Sequence, residues 1–442
     1  MNSTSPAILV AAPASGQGKT TIVSALARLH ARQGRRVRVF KCGPDFLDPF
    51  WHQLASGKPV YQIDLWMTGE ADVRARLHAA AREADLIIVE GVMGLFDGEP
   101  SAADLAQRFG LPVMAVIDAA SMAGTFGALA FGLQHYRPDL PWAGVLANQV
   151  ASAGHAGMLE GSVPPGHWLG ALLRNPALSL PERHLGLTVA TELDDAMQRL
   201  DAAADALLDT PLGRMDGAAL RRWAVEFPAP QPVPAVRSLL AGRRIAVARD
   251  AAFCFIYQAN LDTLRALGAE LVFFSPLADQ ALPECDAVWL PGGYPELHAA
   301  RLGANQGLRM SLRAHVAADK PVWAECGGMM ALFDAIIDTQ GQVQPMWGLL
   351  PGRVTMQQRL AALGPQQLAL HAGTLRGHTF HYSIAMTEVA EVARTARPGQ
   401  APVPGAGEAV YRLGAVRASY FHPWFASCPE AAAELFLSGG QA

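Results

Sequence analysis

The chain has 442 residues, 51% of them hydrophobic and 17% charged, with a formal net charge of −4. That length suggests two or three domains with large buried cores, and the composition excludes a disordered chain. The arginines are scattered without a basic run, no apolar stretch is long enough to cross a bilayer, and no charged-then-apolar leader is present, so neither nucleic acid nor membrane is an expected partner. The five cysteines (Cys42, Cys254, Cys285, Cys326 and Cys428) are odd in number and lack paired metal spacing, so a reducing cytoplasmic compartment is expected.

From Pro6 to about Leu172, apolar strand-like runs alternate with amphipathic helical stretches. The runs are AILVAA, VRVF, DLIIVEG, PVMAVID and WAGVLAN, and Thr20–Gln33, Asp72–Ala84 and Gly124–His135 lie among the helical stretches. Near-continuous apolar strands separated by helices predict a mostly parallel sheet with helices on both faces. The first strand runs into APASGQGKTT, a turn that can offer converging backbone N–H groups, a helix N-terminus and a cation to a phosphate. Gly16 and Gly18 let the backbone wrap closely, Lys19 can reach the outer phosphates, and the Thr20 hydroxyl can bind Mg²⁺. The usual pattern has a glycine where this chain has Pro13.

Two more strand ends are expected on the same sheet edge, where open α/β sheets bind ligands. KCGPDFLDP puts Lys41, Asp45 and Asp48 past the second strand. VEGVMGLFDG puts Glu90 at the tip of a third, with Asp97 in the loop beyond. Each acid alone reads equally well as a solvated loop residue; beside a phosphate loop, Asp45 and Glu90 are favoured as metal-side groups. Asn148 suits either an adenine edge or a structural cap.

Residues 227–236, FPAPQPVPAV, hold four prolines and read as an interdomain linker. The expected division is a nucleotide domain over 1–226, a linker over 227–242 and a second α/β domain over 243–442. In that second domain RRIAVARD, ELVFFSP, DAVWLPGG and KPVWAEC read as strands and Ile256–Leu267 as a helix; QLALHAG, HTFHYS and VRASYFHP follow as further strands.

The run KPVWAEC ends in CGG, which places Cys326 on a sharp strand-to-helix turn. Such a turn is expected to hold the thiol exposed, with the helix N-terminus lowering its pKa, as at a nucleophile elbow. Gly292 and Gly293 of PGGYPE, together with Gly327, can supply an oxyanion hole, and His422 of ASYFHPWF can supply a base. A lone cysteine is more often a small buried residue; the two glycine turns and the histidine favour a nucleophile. The other four cysteines read as core or loop residues. His378 and His381 have a spacing that suits metal, with no third ligand evident.

CGG after a strand, PGGYPE before it and a late FHP resemble the triad-type glutamine amidotransferase domain over roughly residues 243–442. The first half resembles the dethiobiotin-synthetase-like ATPases. The pair, with KCGPDFLDP, VEGVMGLFDG and GHTFHYS, is similar to the cobyrinic acid a,c-diamide synthase family, some members of which use cobalt-free hydrogenobyrinic acid. The resemblance implies a P-loop domain followed by a class I glutamine amidotransferase-like α/β domain. It implies ATP, L-glutamine and a corrinoid as reaction partners, Mg²⁺ with the ATP, and amidation of the a and c side-chain carboxylates. Lys41, Asp45, Asp48 and Asp97 would then face substrate or acyl phosphate; Gly16, Gly18, Lys19, Thr20 and Asn148 the nucleotide; and Thr20, Asp45 and Glu90 the metal. Two positions depart from the pattern. Trp424 stands where a triad glutamate is usual, an acid that corrinoid-amidating relatives commonly lack, and Thr379 stands where glutamate is expected.

An amidotransferase for another tetrapyrrole, such as nickel sirohydrochlorin, or for other corrin side chains stays open. So do two readings of a different class: a partition-type ATPase switch, which has no use for Cys326, PGGYPE and His422, and a tetrapyrrole-binding module with inactive sites, against which the intact Gly-Lys-Thr and Cys-Gly-Gly count. A homodimer is left open as well. Ammonia released at Cys326 would need a sheltered path to the acyl phosphate.

Overall fold

The computed structural model describes residues 1–178, 180–183, 186–187, 193–232 and 235–438. It divides into two compact units, Met1–Pro232 and Val233–Ala442. Val233 and Pro234 of the proline-rich stretch lie outside the described residues.

The first unit runs β1 (Ser3–Ala11), α1 (Lys19–Arg32), β2 (Val37–Cys42), α2 (Asp48–Ser56), β3 (Tyr61–Ile63), α3 (Glu70–Ala81), β4 (Leu86–Glu90), α4 (Ala102–Phe109), β5 (Val113–Asp118), α5 (Thr125–His135), β6 (Trp142–Val150), α6 (Ala153–Glu160) and β7 (Trp168–Leu173). The short strands β8 (Glu182–Arg183) and β9 (Gly186–Leu187), then α7 (Ala196–Leu208), α8 (Gly217–Leu220) and β10 (Ala224–Phe227), complete it. The sheet order is β3-β2-β4-β1-β5-β6-β7, all parallel, and β10 pairs antiparallel with the start of β1. Successive residues of β1 go to opposite cores: Ala7, Leu9 and Ala11 to one, Ile8 and Val10 to the other. That is the pattern of a strand covered on both faces. Because β10 closes on β1, the chain stays within this sheet to Phe227, one residue into the stretch read as linker.

The second unit contains β11 (Arg244–Ala248), α9 (Gln258–Ala266), β12 (Glu270–Phe274), β13 (Ala287–Leu290), α10 (Ala299–Ala304), α11 (Gln306–Ala317), β14 (Val322–Glu325), α12 (Gly327–Leu332), β15 (Ala335–Ile337), β16 (Val343–Pro345) and β17 (Arg353–Met356). It continues with β18 (Ala362–Leu370), β19 (Gly373–His381), β20 (Ser383–Met386), β21 (Glu391–Arg394), β22 (Ala409–Leu413), β23 (Val416–Ser419), β24 (His422–Trp424) and α13 (Pro429–Glu434). Its main sheet has the order β12-β11-β13-β14-β23-β22-β21, with β21 and β22 antiparallel. Two small sheets, β16-β15-β17-β20 and β18-β19-β24, flank the chain's return. VRASYFHP is therefore two strands: β23 joins the main sheet and β24 a three-stranded one, with the bend placed just before His422.

Among the described residues no helix is long and apolar enough to cross a membrane. Leu9 lies on the central strand with none of its surface exposed. Leu9→Ala should destabilise the first unit by about 2–5 kcal/mol, read by urea unfolding. A loss under about 1 kcal/mol would contradict a close-packed centre.

Candidate functional site

Parallel strands deliver their loops to one edge, and β1, β2 and β4 are neighbours in the first sheet. Lys41 and Glu90 are register partners on β2 and β4, and Val10 pairs with Glu90. These strand ends line a cavity of about 570 Å³ together with the turn after β1. Every residue assigned above to nucleotide, substrate or metal borders it except Asp97.

Helix α1 is preceded by Gly18 as its N-cap, with φ 91°, and has no acidic residue in its first turn, so its N-terminus is left for an anion. A side chain at Gly18 would fall 2.3 Å from Asn148 Nδ2, so only glycine fits there. The Asn148 amide donates to the Gln17 carbonyl (3.0 Å), while Asp118 N donates to Gln17 Oε1 (2.8 Å). The ends of β5 and β6 thus brace the loop, and Asn148 is a loop brace as well as a cavity wall. Lys19 Nζ donates to the carbonyls of Met93 (2.7 Å) and Ala14 (3.2 Å), and burial lowers its pKa.

Thr20 Oγ1 donates to Glu90 Oε1 (2.8 Å), and Lys41 Nζ lies 3.2 Å from the same oxygen. Lys41 also contacts Asp48 Oδ2 (2.5 Å) and stands 3.8 Å from Asp45 Oδ2. Burial alone would strip the Lys41 charge, but the carboxylates of Asp48, Glu90 and Asp45 hold it protonated well above the ordinary lysine range. Burial likewise pushes Glu90 up, and Lys41 and His52 outweigh it, leaving its carboxyl at about 2. Asp48 goes the other way: burial and the charge of Asp45 raise it against the pull of Lys41.

His52 was not singled out in the sequence. It is fully buried on α2, bonds Glu90 Oε2 through Nε2 and meets Ser24 Oγ through Nδ1 (2.9 Å), so it fixes the Glu90 carboxylate from behind. Asp45 Oδ1 accepts from Leu47 N and Asp48 N, bracing the turn into α2, while Oδ2 faces Lys41. Asp97 instead closes its own loop, accepting from Gly94 N (2.8 Å). Among the described residues no three His, Cys, Asp or Glu side chains converge as a metal cage. Thr20 and Glu90 nevertheless form a hard-oxygen pair, the donor set Mg²⁺ takes when phosphates and water fill its other positions.

In the second unit β14 lies between β13 and β23, so the turns after these three strands meet. They carry Cys326, Gly292–Gly293 and His422. Cys326 has φ 43° and ψ −106°, a strained conformation for a side-chain-bearing residue. A side chain at Gly327 would come within 2.9 Å of Gly293 N, and one at Gly292 within 2.4 Å of His422 Cε1. The glycine pair after β13 therefore packs on both the elbow and the histidine.

The expected exposed, low-pKa thiol is corrected here. Cys326 is 5% exposed, and burial raises its pKa well above the ordinary thiol value, followed by the charge of Glu296. The Gly327 N–H pulls the other way and is outweighed. The elbow sets the backbone angle; the surrounding core sets the desolvation. Burial also pushes His422 down to about 3, with the charge of His381 adding to it, so the imidazole is neutral. Trp424, in the usual position of the triad acid, is fully buried with its ring against Tyr257 (5.2 Å).

A carboxylate does approach the histidine: Glu325 Oε2 lies 3.6 Å from His422 Nδ1. Burial pushes the Glu325 carboxyl up to about 8, against the pull of two indole N–H groups. His378 stacks on His422 at 5.0 Å, and its Nδ1 meets the Tyr257 hydroxyl (3.2 Å). His381, three residues along β19 and so on the other face, bonds Glu408 Oε1 (3.1 Å) and stacks on Tyr420. The two histidines form no metal pair. Thr379 is 2% exposed and donates to Glu408 (2.7 Å), so it turns away from solvent. Of the remaining cysteines, Cys42, Cys254 and Cys285 are buried and Cys428 is partly exposed, as expected for core and loop residues.

Two family descriptions match the chain. Residues 8–186 match the CobQ/CobB/MinD/ParA nucleotide binding domain, and residues 244–429 the CobB/CobQ-like glutamine amidotransferase domain. A Pseudomonas aeruginosa protein named hydrogenobyrinate a,c-diamide synthase is 58% identical over 97% of both chains. One of the same name from Stutzerimonas stutzeri is 57% identical over 97% of this chain and 98% of its own. A cobyrinate a,c-diamide synthase from Herminiimonas arsenicoxydans is 51% identical over 97% of this chain and 96% of its own.

The desolvated thiol sets an order of reactivity. At neutral pH without substrate, iodoacetamide should modify Cys428 well before Cys326, as read by peptide mass spectrometry. Rapid modification of Cys326 would show a preformed thiolate and contradict the buried thiol.

Proposed function

From the premise that this chain belongs to the hydrogenobyrinate and cobyrinate a,c-diamide synthase family, we propose that it amidates the a and c side-chain carboxylates of a corrinoid, using ATP and glutamine. The ring is taken with or without cobalt, because relatives bearing either name match nearly end to end. The observation that carries the reading is the pairing, on one chain, of a phosphate-loop cavity with a cysteine elbow packed through Gly292 and Gly293 against His422.

Each half-reaction has its own residues. In the first unit a substrate carboxylate oxygen attacks the γ-phosphorus of ATP, and ADP leaves. The product is an acyl phosphate, an electrophile that the carboxylate was not. Lys19 and the N-terminus of α1 stabilise the phosphate charge that develops. Thr20 and Glu90 are the groups that would hold Mg²⁺, which when bound neutralises phosphate charge. Lys41, kept cationic by Asp45, Asp48 and Glu90, is a site for a substrate carboxylate or the acyl phosphate. In the second unit the Cys326 sulfur attacks the side-chain amide carbon of glutamine while its proton passes to His422. The C–N bond breaks, His422 returns the proton to the departing nitrogen, and ammonia leaves behind a γ-glutamyl thioester. Backbone N–H groups of the Gly292–Gly293 and Gly327 turns would receive the oxyanion. Water then releases glutamate, and ammonia displaces phosphate from the acyl group. The cycle runs once for each carboxylate. We place the reaction in the cytoplasm, where the five free cysteines stay reduced.

Two substitutions separate the halves. Cys326→Ser should abolish glutamine-dependent synthesis, a fall on the order of 10⁴ or more, and keep synthesis from ammonium salt at high pH. Lys19→Ala should lose synthesis with both nitrogen donors while glutamine hydrolysis continues. Glutamine-dependent synthesis by Cys326→Ser, or near wild-type amidation by Lys19→Ala, would each contradict the assignment.

A further inference from the structure

His422 needs a partner on Nδ1 if Nε2 is to act as a base, and the usual acid two residues later is Trp424, turned into the core. Glu325 comes from a different element. It ends β14, immediately before the cysteine, and is 2% exposed. By strand alternation it shares a face with Trp323, whose register partner on β13 is Trp289. Both indoles donate to Glu325 Oε1, from Trp289 Nε1 at 2.9 Å and Trp323 Nε1 at 2.8 Å. The two bonds fix the carboxyl plane and leave Oε2 facing His422 Nδ1 at 3.6 Å. At 3.6 Å the pair is an approach and not yet a hydrogen bond; catalytic contacts are often long in substrate-free enzymes and tighten when substrate arrives.

Resting on the glutaminase reading above, we infer that Glu325 is the positioning carboxylate of this site, holding Nδ1–H of His422 so that Nε2 faces the Cys326 proton.

Two considerations support this. Burying a carboxyl among tryptophans is costly, and a glutamine would accept from both indoles equally well without a charge. What the acid adds is the charge. Transfer of a proton from a desolvated thiol to a desolvated imidazole is unfavourable unless the new imidazolium meets a negative partner. Glu325 is the carboxylate placed at Nδ1; His378 covers the ring face, Gly292 lies at Cε1, and His381 and Glu408 act only through their charges. On the Cys326 side, after burial, Glu296 acts first, and Glu408 and Glu325 itself also raise the thiol through their charges.

The sign of the pH dependence follows. Burial raises the Glu325 carboxyl to about 8, so its ionised form is gained as pH rises through that value and lost below it. Glu296, raised by burial to about 7, titrates whether or not Glu325 is present. The test compares glutamine hydrolysis by wild type and Glu325→Gln, which keeps the acceptor for both indoles. The variant should lose roughly 10²–10⁴-fold in kcat with little change in the KM for glutamine, and should keep ammonia-dependent synthesis. The ratio of wild-type to variant kcat/KM, in which Glu296 and other shared groups cancel, should climb as pH rises through about 8. If the Gln variant does not accumulate folded, Glu325→Asp substitutes for it: set back by one methylene, it should lose kcat and keep the pH-dependent limb. Wild-type kcat in either variant, or a loss by Glu325→Gln that is flat with pH, would overturn the inference. An inactive wild-type glutaminase would instead overturn the reading on which it rests.

Discussion

A parallel sheet buried on both faces leaves one place for polar chemistry, the edge where its strands end, and both units of this chain are organised by that constraint. β1, β2 and β4 are mostly apolar through the sheet's centre, and Lys41, Glu90 and the phosphate loop emerge together at their carboxyl ends. β13, β14 and β23 repeat the pattern with glycine, cysteine and histidine turns. In the second unit the constraint is severe enough to strain the backbone, since Cys326 must reverse direction within a residue at φ 43°. The tolerances around it follow: Gly327 packs on Gly293, and Gly292 packs on His422, with no space for a side chain at either glycine.

The two sites handle charge in opposite ways. The first gathers opposite charges in a confined space: Lys41 is kept cationic by three carboxylates, and Glu90 is kept ionised by Lys41 and His52 against its burial. Such a cluster is prepared for phosphates and a cation, whose charges it complements. The second buries its central groups in their neutral forms, a protonated thiol, a neutral imidazole and a carboxyl raised by its surroundings. On the proposed mechanism, such a site reacts only through proton movement once substrate is present.

The alternation of strands and helices and the phosphate loop were legible because they depend on local signals, namely apolar runs, glycines at turns and a lysine beside a helix start; the order of the strands in the sheet was not. The shared edge of Lys41, Asp48 and Glu90 followed from the parallel rule. Features that depend on what packs over a turn were not legible. The CGG turn correctly indicated an elbow but said nothing of the core that encloses it, so the thiol was expected exposed. Asp97 was close in sequence to the site, yet its carboxylate is used to close its own loop on Gly94. His52 carried no motif; only the return of α2 over β2 brings it behind Glu90. Glu325 went unremarked inside the run KPVWAEC, because its significance depends on Trp289, Trp323 and His422, which lie 36, 2 and about 100 positions away.

The central claim is that one chain takes nitrogen from glutamine and installs it on two corrinoid carboxylates at the expense of ATP. The most direct test incubates the wild-type protein with ATP, Mg²⁺, amide-¹⁵N-labelled glutamine and either hydrogenobyrinic or cobyrinic acid, and reads the product by mass spectrometry. The account predicts a product in which two carboxylates have become amides, both labelled, with no product when ATP is omitted. Unlabelled amides, conversion without ATP, or a corrinoid recovered unchanged from both incubations would contradict it.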